Sequence, residues 1–215
     1  MWQLDGTQAR LESPQLRCEL DLACPAIGLQ AIGATLESTQ ISCAAGTSIM
    51  QLTLPSKATL LADAYVRGND LVATYGESAE HPCRTQVYWR VECEADLFGI
   101  QLIVSVQTSL LDAVPSLTVA SQFPGPARLI AAGTAIVPLP ESNVCYVEVA
   151  DGSNVESTIV HNSSQIMHKL FPGSLEKGVI RRARILGCFL PACSAERTAR
   201  ALHDRFILST PPLTT

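Results

Sequence analysis

An all-β fold, a large antiparallel sandwich with one C-terminal helix, is predicted from three features of the chain. The first is alternation: Val87, Trp89 and Val91 interleave with Tyr88, Arg90 and Glu92. Ile100, Leu102, Val104 and Val106 then interleave with Gln101, Ile103, Ser105 and Gln107, and Leu117, Val119, Ser121 and Phe123 form a third run. A helix spaces its apolar residues by about 3.6, so a period of two favours antiparallel strands with one buried face. The second feature is punctuation by Pro, Gly and Asn between short apolar runs. The third is a lone helical stripe near the C-terminus.

Taken in order, Gln8 to Leu22 predicts the opening strands, with Ser13-Pro14 as a turn and Leu16, Cys18, Leu20 and Leu22 alternating with charged residues. Cys24-Pro25-Ala26-Ile27-Gly28 turns the chain, and Leu29 to Gly33 continues as a strand. Gly46 to Ser56, with Ile49, Leu52 and Leu54, predicts another. Leu60 and Leu61 lead through Ala64-Tyr65-Val66-Arg67 to a hairpin turn at Gly68-Asn69-Asp70, and Leu71 to Tyr75 returns. Gly76 to Arg84 reads as a loop, followed by the central strands with a turn at Asp96 to Gly99. Asp112 reads as a turn-former and Trp89 as core. Pro124-Gly125-Pro126 interrupts the sheet, because proline has no amide donor. Ile130 to Val137, Val144 to Val149, Val155 to Val160 and Val179 to Leu190 predict later strands, with His161 to Ser174 a long polar loop. The helix spans about 195–208: Ser194 is the N-cap, Glu196 suits the dipole, and Pro211-Pro212 stops it. Ala195, Ala199, Leu202 and Phe206 form its apolar stripe.

At 215 residues the chain fits one domain, 1–215, large enough to bury a core without covalent staples. Hydrophobic residues make up 47% but aromatics 5%, so the core should be mainly Leu, Ile, Val and Ala. A net charge of −5 argues against a nucleic-acid partner, and the cluster Arg181, Arg182, Arg184 reads as a solvated strand face. No apolar run approaches the ~18 residues of a membrane span. Met1 to Asp5 shows no basic stretch leading an apolar one, so the expected location is the cytoplasm, with no membrane partner. The eight cysteines (18, 24, 43, 83, 93, 145, 188 and 193) are then expected as thiols. None stands in a C-x-x-C pair, and Cys188 and Cys193, five apart, and Cys18 and Cys24, six apart, have no histidine at ligand spacing, so neither a metal nor a cofactor is expected.

Phosphate loops, dinucleotide fingerprints, zinc-protease helices and serine elbows are all missing from the sequence. What remains are polar residues on loops beside strands. Chemistry at an anomeric carbon needs a carboxylate and an imidazole facing a sugar ring, and histidine titrates near 6.5. The acid–base candidates are therefore His81, His161, His168 and Glu176, and the ligand-binding candidates Arg84, Arg181 and Arg182, with ordinary loop polarity as the competing reading.

The opening segment Arg10-Leu11-Glu12-Ser13-Pro14-Gln15-Leu16-Arg17 resembles the first strand pair of the galactose mutarotase-like supersandwich superfamily. Leu102 to Thr108 followed by Pro115 to Val119 is similar to its paired core strands. That resemblance implies two stacked sheets and a carbohydrate-facing concave face. Epimerases of the superfamily use histidines and a late glutamate base, and His81 and Glu176 are the nearest candidates by order in the chain. A carbohydrate ligand, bound or epimerised, is thus one expectation. The alternative is a non-catalytic structural or protein-interaction module whose partner is a second copy of the chain.

Overall fold

A computed structural model describes the chain except residues 37–38, 56–60, 95–96 and 210–215. Leu60, Asp96 and Pro211-Pro212, read above as lead-in, turn and stop, lie outside the described residues. The first five strands, β1 (Trp2–Asp5), β2 (Gln8–Glu12), β3 (Leu16–Asp21), β4 (Gln30–Leu36) and β5 (Thr39–Ser42), form an antiparallel sheet in chain order. Then follow β6 (Ser48–Thr53), β7 (Leu61–Arg67), β8 (Asp70–Tyr75), β9 (Arg84–Glu94), β10 (Leu97–Gln107), β11 (Asp112–Ala113) and β12 (Leu117–Gln122). The chain continues through β13 (Arg128–Ala131), β14 (Thr134–Pro138), β15 (Val144–Ala150), β16 (Val155–His161), β17 (Gln165–Leu170), β18 (Leu175–Glu176) and β19 (Arg181–Pro191) to helix α1 (Ala195–Leu208).

Eight of these strands pair in the order β13-β14-β15-β19-β10-β9-β8-β7, and four in the order β16-β17-β12-β6. A two-stranded ribbon, β11-β18, sits apart. The architecture is the all-β sandwich with one C-terminal helix that the alternation predicts. Val87, Trp89, Leu102 and Val104 on the inner face of the eight-stranded sheet share one core with Leu11 of the five-stranded sheet and with Leu52, Val119 and Ile166 of the four-stranded one. Each such fully buried aliphatic side chain contributes about 1.5–3 kcal/mol. Two of the three central runs pair as β9 and β10, while the third, β12, crosses to the facing sheet.

Helix α1 lays Ala195, Ala199, Leu202 and Phe206 on Val147, Leu186, Cys188 and Leu190, covering the outer face of the eight-stranded sheet at its β15–β19 side. Its C-terminus is held from below by Arg184, whose guanidinium donates to Asp151 (2.6 and 3.0 Å) and to the carbonyls of Phe206 (3.1 Å) and Ser209 (2.9 Å). The same group stacks 4.6 Å over the Phe206 ring. Late helix carbonyls lack intrahelical donors, and a cation there also suits the dipole. Arg184 is 2% exposed, which corrects the reading of Arg181, Arg182 and Arg184 as one solvated face: Arg181 points to the opposite side, and the end of helix α1 covers Arg184.

The structure redraws other boundaries. His161 to Ser174 is not a long loop, because His161 ends β16 and Gln165 opens β17 after a three-residue turn. Here the inward positions are Ile166, His168 and Leu170, and a buried histidine at the middle one hides the period of two. Ile130 to Val137 is a hairpin of two strands, turning at Ala132-Gly133. Leu97, Phe98 and Gly99 belong to β10 instead of a turn. Trp2 opens β1, is 3% exposed and donates from its indole N–H to the Trp89 carbonyl at 3.0 Å. All eight cysteines are free thiols, and no helix among the described residues is long and apolar enough to cross a membrane.

Candidate functional site

Polar chemistry gathers in two kinds of place: one cluster sealed between the sheets and several on their outer faces. The sealed cluster begins with Glu148 in β15, a strand of seven consecutive buried residues. Its side chain points into the core with zero exposure and accepts three side-chain hydrogen bonds. Tyr146 O–H donates at 2.8 Å, Ser121 O–H donates from β12, and His168 Nε2–H donates from β17 at 2.9 Å. His168 Nδ1 meets Thr158 Oγ1 at 2.9 Å, and Ser121 Oγ also accepts from the Met50 amide of β6. A buried carboxylate is tolerated only with such satisfaction. Gly187 of β19 makes room for the cluster, since a Cβ there would strike the Tyr146 hydroxyl. Burial and the neighbouring Glu148 push the Tyr146 phenol well above its ordinary range.

The candidates from the sequence are distributed over this frame. His168 lies in the sealed cluster, while His161 stands exposed at the β16–β17 turn. Glu176 is exposed on β18, opposite Asp112 of β11. His81 is 2% exposed, with Nε2 at 2.7 Å from Thr85 Oγ1 and Nδ1 without a partner among the described residues. Arg181 donates to Asn154 Oδ1 (2.9 Å) and the Pro172 carbonyl (2.7 Å) and lies over the Phe171 ring. Arg182, its neighbour, faces the opposite side, as does Arg84 at the start of β9. The structure therefore brings Arg84 and Arg182 to one outer face and does not gather the three histidines and Glu176 into one pocket.

A larger concavity crosses the outer face of the five-stranded sheet. It encloses about 720 Å³ and is lined by Arg10, Glu12, Ser13, Arg17, Glu19 and Ser42, among others. The β3–β4 pairing shifts register between Arg17 and Glu19, with Ala31 at positive φ, and all three residues line the concavity. Arg10 is tied to Glu19 at 3.1 Å and Glu12 at 3.5 Å. Arg17 lies flat over Gly33, where any Cβ would collide with its side chain. It has no ion-pair partner among the described residues and also borders a second depression of about 210 Å³ with Gln40 and Thr35. Sequence reasoning missed Glu148 and Arg17. A lone Glu inside Val-Cys-Tyr-Val-Glu-Val-Ala was the available signal for the first, whereas the second depends on a bulge with no sequence mark.

Burial lowers the pKa of His81, with Glu77 opposing. Because the folded pKa lies below the unfolded value of about 6.5, the unfolded chain takes up the proton first. The neutral ring's contribution is complete above pH 6.5 and is lost as pH falls towards the folded value. Urea midpoints at pH 7, 6 and 5 are expected to fall less steeply in His81→Gln than in the wild type; parallel pH profiles would contradict this.

No protein-family model matches the chain, and no curated protein sequence matches it. Among solved structures, it is similar to a protein described as a kojibiose phosphorylase from the human microbiome, at 9% identity and TM-score 0.46, over 95% of this chain and 29% of that one. It is also similar to a mutant of the heparan sulfate lyase HepC from Pedobacter heparinus, at 10% identity and TM-score 0.45, over 87% of this chain and 36% of that one. The chain thus spans about a third of the length of these neighbours. Likeness this slight leaves the chemistry to be read from the chain's own residues.

Proposed function

We propose that the chain is a carbohydrate-binding β-sandwich that holds a neutral, polyhydroxylated ligand in the groove across the outer face of its five-stranded sheet. The observation that carries this reading is the groove itself: about 720 Å³, within the usual range for small-ligand sites, and floored by an exposed Arg17 held in place by Gly33. Two arginines and two glutamates cancel in charge, which suits a ligand that is polar but uncharged. A guanidinium or carboxylate presents two parallel donors or acceptors, a match for adjacent sugar hydroxyls. Binding is favoured over turnover because the His168–Glu148 pair, the acid–base combination sugar chemistry needs, has no exposure to a ligand. The mutarotase-like strand rhythm, which implies a sugar against a sheet face, is in keeping with this site although it lies away from the loops first singled out.

A second reading has its own observation. Leu110 (48% exposed), Leu111 (85%), Val114 (66%), Val179 (43%) and Ile180 (52%) flank the strands of the β11–β18 ribbon along the chain. Contiguous exposed apolar surface is the signature of an interaction site, and a second copy of this chain is its simplest occupant.

For the first reading, a panel of neutral mono- and disaccharides should contain members that raise the melting temperature by mass action. Arg17→Ala should weaken their binding at least tenfold, roughly 1.4 kcal/mol, while moving the unliganded stability by less than about 0.5 kcal/mol. A panel with no responder, or equal binding by the variant, would overturn it. For the second, light scattering should show a dimer that Leu111→Lys converts to monomer. A monomer at every concentration would retire that reading.

A further inference from the structure

The outer face of the eight-stranded sheet carries a second polar site, beyond the C-terminal end of helix α1. Registry places Thr74, Gln86, Ser105 and Arg182 in one row across β8, β9, β10 and β19, because Gln86 pairs with Thr74 and Ser105, and Ser105 with Arg182. Residues opposite one another on neighbouring strands point to the same side. The adjoining row starts with Arg84, paired with Gln107. With strands about 4.8 Å apart and a two-residue offset, the Arg84 and Arg182 Cα atoms stand roughly 12 Å apart. Guanidiniums extending from both can meet over Ser105.

Two atoms in this place are buried without a hydrogen-bond partner among the described residues: Ser105 Oγ and Arg182 Nε. Ser105 is only 7% exposed, so its unpartnered hydroxyl is a buried one. Buried donors are almost always paired in native proteins, and two orphans on paired residues of adjacent strands can be satisfied by one shared acceptor. Neither Arg84 nor Arg182 has an acidic partner among the described residues, whereas the nearby Arg184 and Arg90 are each matched with an aspartate. The Gln86 amide, 3.4 Å from Thr74 Oγ1, adds a further polar group at the rim.

From this arrangement we infer an oxyanion-binding site formed by Arg182, Ser105 and Arg84, with Gln86 at its edge. Its ligand chemistry is a phosphate, sulfate or carboxylate group that accepts from the Arg182 Nε–H and the Ser105 hydroxyl together and is neutralised by two guanidiniums. Arginine's planar fork suits such bidentate recognition. The site is independent of the groove on the five-stranded sheet, and either can fail without the other.

Calorimetric titration of the full chain with inorganic phosphate and, separately, acetate, at ionic strength held constant with chloride, tests the inference. Binding of either anion is expected, and the preferred one distinguishes a tetrahedral from a planar group. Arg182→Gln and Ser105→Ala should each weaken the preferred anion at least tenfold. Arg181→Gln, which removes the same charge from the opposite face, should leave it within twofold. Ser105→Ala also removes an orphaned hydroxyl, so without anion its melting temperature should match or exceed the wild type and exclude misfolding as the cause. Absence of binding by both anions, or equal weakening by Arg181→Gln and Arg182→Gln, would overturn the site.

Discussion

The rest of the sandwich depends on one carboxylate being satisfied in the dark between its layers. Glu148 is planted on β15 of the eight-stranded sheet, and the groups that complete it come from elsewhere: His168 from β17 and Ser121 from β12, with Ser121 in turn holding the backbone of β6. Three strands of the four-stranded sheet are therefore registered against the other sheet by hydrogen bonds as well as by apolar packing. Apolar contact is non-directional and tolerates sliding, whereas a buried carboxylate with three donors does not. Removing one partner from such a pair costs about 3–5 kcal/mol, because the survivor is left charged or unpaired in a low-dielectric interior. Local geometry bends to keep the arrangement: Met50 adopts a positive φ of 56°, and Gly187 gives up a side chain to admit the Tyr146 hydroxyl.

Sealing the histidine–glutamate pair in this way moves the surface chemistry outward. On the eight-stranded sheet, helix α1 covers the β15–β19 side and is fastened by Arg184, which leaves the rows containing Arg84, Ser105 and Arg182 beyond its end. On the five-stranded sheet, the groove lies where the β3–β4 register shifts, between Arg17 and Glu19. In both places an arginine without an ion-pair partner among the described residues sits beside residues that fix its direction. Arg17 is laid on a glycine, and Arg182 is set by strand registry.

Much of the architecture was legible because backbone periodicity is local. The alternation at 87–92 and 100–107 marks β9 and β10, and the stripe of Ala195, Ala199, Leu202 and Phe206 marks the buried side of the helix. Legibility ended where a buried position carries a polar residue. His168 broke the apolar rhythm of β17 and made a hairpin look like a loop, and Glu148 passed unnoticed inside an apolar strand. Both are polar because they satisfy each other across 20 residues of chain, a long-range fact that no window of neighbours records. The arginines 181, 182 and 184 look alike as a run. Alternation sets Arg181 against a phenylalanine ring on one face and Arg182 and Arg184 on the other, where the helix covers Arg184 and leaves Arg182 in an outer polar row.

A double-mutant cycle on Glu148→Gln and His168→Gln, read by urea unfolding, tests the cross-sheet tie most directly. If this pair fixes the layers, each single change should cost more than about 2 kcal/mol and the coupling energy should reach at least about 1.5 kcal/mol, well inside the range for residues in one network. Additive effects within about 0.5 kcal/mol would contradict the account, since they would mean that the His168–Glu148 contact does not hold the two sheets in register.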